Sequence, residues 1–243
     1  MATVIAPLGL SPPVVTEFVQ WLELEGIDVR DVILIETSER DVLAGAKLVK
    51  VALQLRYPRL RVGEVLLDYP DVDNQERAFD FMEKLVELVG SLERKRVYLL
   101  ISGGRKVMSV ALALVSQFFP SEVYHVVARD VKIANMELER LRPRVLELYE
   151  SEDPLSYYEA DEDLKRLMFP PASEYDVIRL PTIPYPDQVL SEVKRALEGA
   201  KREEVGFNLV ALLSEMGLIQ VAGGRTVATQ VGRRLLRILD RIV

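Results

Sequence analysis

The chain has 243 residues, 49% of them hydrophobic, and a net charge of −7 at pH 7. That is enough for one sizeable α/β domain and a small second one, and too apolar for a disordered chain. With no cysteine, disulfides, thiolate nucleophiles and zinc–thiolate sites are excluded, and a single histidine, His125, excludes a histidine-rich metal site within one chain. An acidic chain has no global field to draw it to nucleic acid or an anionic membrane, so any anionic ligand must be held by local cations.

No basic leader followed by a long apolar core opens the chain, and no run nears the roughly 18 apolar residues of a membrane span. This pattern reads as soluble and cytoplasmic. Six short, β-branched runs at 3–8, 31–36, 64–69, 97–102, 123–128 and 176–180 read as strands, several of them apolar almost throughout. Helical patterns at 12–25, 40–56, 74–92, 105–118 and 131–150 alternate with them. Such alternation predicts an α/β fold with a doubly wound, mostly parallel, six-stranded Rossmann-like sheet over residues 1–180. An acidic, aromatic insert at about 150–171 interrupts the rhythm, either as a surface excursion or as a mobile cover over a ligand site.

Three prolines, Pro181, Pro184 and Pro186, then read as a linker. Residues 187–243 follow as a helix, a second helix, an apolar strand, a Gly-Gly hairpin turn and a last helix, the order of a small winged helix-turn-helix domain.

Two loops carry the chemistry. In an open parallel sheet, ligands bind beyond the carboxyl ends of the strands where strand order reverses, and with order 3-2-1-4-5-6 strands one and four meet there. The first loop is "LGLSPP": Gly9 turns the chain, Leu10 follows, Ser11 is suited to cap a helix, and Pro12 suits a first turn. A helix start of this kind faces an anion with free N–H groups, although a capped helix alone explains the same residues. The second loop is "LLISGGRKVMS". Ser102, Gly103 and Gly104 leave the fourth strand, and Arg105 and Lys106 supply charge where a phosphate would sit, or else form a solvated pair after a glycine turn. Neither GxGxxG nor a P-loop is present, which removes support for ordinary NAD and ATP binding.

"LGLSPPVVTE", "DVDNQERAFDF" and "ISGGRKVMSVAL" together resemble the CRISPR-associated Rossmann-fold (CARF) family, and most closely its archaeal type III CRISPR ring nucleases. The resemblance covers most of residues 1–180, with SGGRK its most specific element, and related proteins carry a winged helix after the sensor. It implies a cyclic oligoadenylate ligand, most simply cyclic tetra-adenylate, bound across a homodimer. It also implies cleavage without metal or other cofactor, in which a ribose 2′-OH attacks its neighbouring phosphate and leaves a 2′,3′-cyclic phosphate. Ser11 matches the family's first-loop serine and would orient the attack or the phosphate. Of two candidates for the family's lysine, Lys106 matches the motif as a ligand contact, and Lys165 in the insert would act as a catalytic lid residue.

The family's alternative effector, a ribonuclease domain marked by Arg, four to six residues and His, is absent, and His125 is taken as structural, on the strand edge away from the ligand loops. The main rival is a ligand-controlled regulator that reads DNA through the winged helix, but the candidate reading helix "FNLVALLSEM" has no Arg or Lys. DNA therefore stays open as a partner without being favoured, and so does binding of the ring without cleavage.

Overall fold

Every residue of the first strand, β1 (Ala2–Pro7), is buried, as an apolar run must be when both of its faces are covered. The structure, a computed structural model, describes residues 2–92 and 96–243. β1 pairs in parallel with β2 (Val29–Glu36), which pairs with β3 (Arg61–Leu66). On its other side β1 pairs with β4 (Arg96–Leu100), followed by β5 (Glu122–Ala128) in parallel and β6 (Tyr175–Leu180) antiparallel to β5. The order β3-β2-β1-β4-β5-β6 is the expected one, and it reverses between β1 and β4. β3 begins three residues before the expected 64, because its edge position leaves most of its side chains exposed and erases the apolar pattern.

The helices alternate with the strands: α1 (Pro13–Leu24), α2 (Arg40–Arg56), α3 (Gln75–Gly90), α4 (Lys106–Val115) and α5 (Val131–Glu150). α1, α2 and α5 build one core on the sheet, with Phe18, Leu48 and Leu148 fully buried in it. α3 and α4 build the other, around Phe81, Leu85 and Leu112. On the α4 side the second layer is incomplete. Val177 of β6 packs into the first core, whereas its neighbours Ile178 and Leu180 face the other way and are exposed. α4 itself turns Val107, Val110 and Leu114 outward.

The insert folds into α6 (Pro154–Ala160) and α7 (Glu162–Met168), each started by an aspartate, Asp153 or Asp161, that accepts a first-turn amide hydrogen bond. It is no bare surface excursion. Tyr158, Leu164 and Met168 are buried in the first core. The Thr16 hydroxyl donates to the Met168 carbonyl, and Gln20 Nε2 donates to the Pro170 carbonyl at 2.9 Å.

After the prolines come α8 (Asp187–Leu197), α9 (Phe207–Glu215), the antiparallel pair β7 (Ile219–Ala222) and β8 (Arg225–Ala228), and α10 (Gln230–Leu239). Leu190, Leu197, Val210, Leu213 and Ile219 form a small core of their own. α10 also reaches across: Ile238 is buried in the α3–α4 core, Arg234 pairs with Glu76, and Arg241 pairs with Glu87 and, at 3.2 Å, with Glu83. No helix among the described residues is long and apolar enough to cross a membrane.

Candidate active site

The two glycine loops touch backbone to backbone at the reversal point. A Cβ on Gly9 would lie 2.7 Å from the Gly104 nitrogen, and one on Gly103 would overlap the Pro7 carbonyl oxygen. Gly104 has φ +75°, and a Cβ there would stand 2.9 Å from Met108 Sδ. Glycine is thus demanded by close approach at Gly103 and by both approach and conformation at Gly104. Ser11 and Leu10 are thereby brought to the same crevice as the 102–106 loop, Leu10 with about half of its surface exposed.

Arg105, in extended backbone, is the N-cap of α4, and the helix begins at Lys106. The first-turn amides of Lys106 and Val107 have no helical acceptor and lie at the positive end of the α4 dipole. The Arg105 guanidinium forms a two-pronged bond with Asp71, Nε to Oδ1 at 2.8 Å and Nη2 to Oδ2 at 2.5 Å. That hydrogen bond holds the Asp71 carboxyl below the usual carboxylate range. Lys106 is exposed and, among the described residues, has no ion-pair partner.

The first loop differs from its expected form. Pro12, not Ser11, is the N-cap of α1, it is already in the helical region, and no side chain caps the helix. Pro12 and Pro13 lack N–H groups, and the Val15 amide bends back to the Pro12 carbonyl at 3.2 Å. The free amides expected at α1 are therefore few, and the free first-turn amides beside the glycine contact belong to α4. Ser11, half-buried, makes no hydrogen bond with the described residues and lies two residues beyond the Gly9–Gly104 contact.

Ser102 lies in the second loop, but its hydroxyl is turned to β5. Oγ accepts the Val126 amide at 2.5 Å and lies 3.1 Å from His125 Nδ1. His125 is thus not remote from the ligand loops. It touches one, a contact hidden from the sequence because it joins residues 23 apart across two strands. Lys165 sits on α7, its ammonium bonded within the insert to the Glu159 carbonyl at 2.9 Å and to Glu162 at 2.5 Å, and to neither loop.

Other groups escaped sequence reasoning. Asp71 was visible only as part of "DVDNQERAFDF". Arg142 joins Leu10, Pro12 and Gly45 around a small cavity beside the first loop and bonds Asp41 at 2.9 Å. Glu36, at the carboxyl end of β2, is buried, and this burial first and then Glu64 push its carboxyl up to about 7, with Lys50 opposing. Among the described residues no group of three or more His, Asp or Glu is placed to hold a metal ion.

The profile of a protein family described as CRISPR-associated protein NE0113 (Cas_NE0113) matches residues 11–215, which begin at Ser11 within the first loop and include the second loop and the insert. The chain belongs to this family. The NE0113 match and the observed sheet bear out the resemblance to CRISPR-associated Rossmann-fold proteins. One relative, the CRISPR system ring nuclease SSO2081 of Saccharolobus solfataricus, is 28% identical over 145 residues, which cover 54% of this chain and 79% of that protein. Two solved structures also align. Enterococcus italicus Csm6 bound to cyclic hexa-2′-fluoro-hexa-dAMP has 14% identity and a TM-score of 0.47 over 99% of this chain and 52% of its own. Can2 from Sulfobacillus thermosulfidooxidans in complex with cyclic tetra-adenylate has 11% identity and a TM-score of 0.39 over 98% of this chain and 64% of its own. The chain thus spans about half the length of the Csm6 chain it matches.

Proposed function

We propose that this NE0113-family protein binds cyclic oligoadenylate, cyclic tetra-adenylate in the first instance, and cleaves it. The observation that carries the reading is the backbone contact between Gly9 and Gly104, which makes one crevice of the Ser11 loop and the α4 N-terminus. Its likeness to a CRISPR ring nuclease supports the substrate. The α4 amides, Arg105 and Lys106 offset the phosphates of the ring on an otherwise acidic chain. In the reaction a ribose 2′-oxygen attacks the adjacent phosphorus, the bond to the 5′-oxygen breaks, and the proton lost from the 2′-OH is balanced by one gained on the leaving oxygen. The products are linear oligoadenylates ending in a 2′,3′-cyclic phosphate, and no metal is needed. Ser11 holds the 2′-OH or the phosphate in line. Lys165 is the catalytic lysine in this reading and reaches the ring by leaving Glu162, so that the insert acts as a cover.

A homodimer completes the site. The apolar side chains that α4 and β6 leave outward, Val110 and Ile178 foremost, fit a second copy across a two-fold axis. We read residues 187–243 as the winged-helix domain, and its cations favour packing over DNA. α9 carries none, Arg234 and Arg241 are paired with α3, and Arg225 and Arg233 bond backbone carbonyls.

Incubation with radiolabelled cyclic tetra-adenylate in EDTA is expected to give linear di-adenylate with a cyclic phosphate, and a ring that stays bound and intact overturns the cleavage claim. Ser11→Ala should slow cleavage by about 100-fold, the scale of one lost transition-state contact, while affinity changes little. Equal losses in rate and affinity would make Ser11 a ligand contact only.

A further inference from the structure

We infer that His125, the one histidine of the chain, is a positioning residue for the phosphate-facing loop, acting through Ser102. The inference rests on the ring-binding reading. Ser102 Oγ accepts the Val126 amide at 2.5 Å, and an amide can only donate. The hydroxyl then has one proton left to give. No carbonyl or carboxylate among the described residues takes it, and His125 Nδ1 lies 3.1 Å away. All three groups are satisfied in one arrangement: Nδ1 unprotonated and accepting from Ser102, with the imidazole proton on Nε2.

The bonds of Ser102 set the path of the backbone between it and α4. Gly103 is pressed on the Pro7 carbonyl and Gly104 on Met108, so the loop has no slack over that span. At the far end Ser109 Oγ donates to the Ile101 carbonyl at 2.7 Å. The loop is staked at both ends, and the His125–Ser102 bond is the stake on the side of the crevice that leads to β5. Without the His125 bond Ser102 is held by the Val126 amide alone, and because Gly103 and Gly104 have no slack, any shift of Ser102 is passed on to the amides of Lys106 and Val107. The defect falls on ring binding, not on the in-line attack guided by Ser11.

With one histidine, a long-range 1H–15N spectrum of the full chain at pH 8 reports a single imidazole without assignment. We expect the Nε2–H tautomer in the free protein, and a shift of the Nδ1 signal in Ser102→Ala. His125→Leu should weaken binding of labelled cyclic tetra-adenylate about tenfold, as for one hydrogen bond, with the single-turnover rate of bound ring unchanged within about twofold. His125→Asn, whose side-chain oxygen can stand where Nδ1 stood, should restore affinity to within about threefold. An Nδ1–H tautomer overturns the proposal, as does unchanged affinity in His125→Leu, or equal loss in the Leu and Asn variants. The tautomer measurement needs no ligand. If the wild-type chain bound no ring, the proposed function would fall while the spectrum still decided the Ser102–His125 bond.

Discussion

Gly103 is the residue at which the crevice tolerates least. An added methyl group would collide with the Pro7 carbonyl of β1, and the atoms it would meet, of Pro7 and Leu8, are all backbone. Gly103→Ala is expected to destabilise the protein by about 1–3 kcal/mol, the usual range for overpacking, and to abolish ring binding, as read by thermal unfolding and by titration with labelled ring. Glu17 gives a pH effect. On α1 beneath the insert, its carboxyl is pushed up to about 7, first by burial and then by Glu174. A folded-state value above the unfolded one means the contribution to stability is full below about pH 4.5 and is lost as pH rises through 7. Glu17→Gln should therefore raise the Tm by several degrees at pH 8 and change little at pH 4.5. Equal pH slopes for variant and wild type would refute this. Residue identities spoke clearly where backbone geometry demands one residue type, as at Gly104. They were silent on Asp71 and His125, whose partners lie on other elements.

Among the elements, α4 has two sides with opposite fates. Its inward side, Met108, Ala111, Leu112 and Val115, fills the second core, and its outward side shows Val107, Val110 and Leu114. If the proposed dimer forms through this face, the wild-type chain should run as a dimer in light scattering coupled to size exclusion, and Val110→Glu should leave the fold intact and give a monomer. A monomeric wild type would overturn the proposed dimer, and a variant that stays dimeric would exclude this face as its interface. The strand–helix alternation made the sheet legible, because strands covered on both faces are apolar without interruption, and its order was read from that alternation together with the family resemblance. The start of β3 was not legible, since an edge strand exposes its side chains, and neither was the Pro12 cap, since Ser11 satisfies every local rule for that place. The insert misled for a related reason. Its charges are outward, and the few side chains that bind it to the first core, Tyr158, Leu164 and Met168, are too sparse to form a pattern.

At the scale of the molecule, α10 ties the C-terminal module to the six-stranded sheet and its α3–α4 layer. Ile238 lies in the α3–α4 core with no exposed surface, and Ile238→Ala should cost about 2–5 kcal/mol, as large-to-small changes in cores do. A single unfolding transition for the whole chain is expected, whereas two separate transitions would show the module to be independent. The prolines of 181–186 read as a linker, and the ion pairs that bridge over this stretch left no trace in the sequence, since Arg234 and Glu76 are 158 residues apart.

That connector has a practical consequence. Ile183 is 85% exposed, yet Thr182 and Tyr185 on either side bond the backbone of Ser121 and Gln117. A chain nicked there would lose its covalent continuity and little else. The two fragments should elute together and part only in denaturant, so that the protein can be made as two separately expressed halves that assemble on mixing.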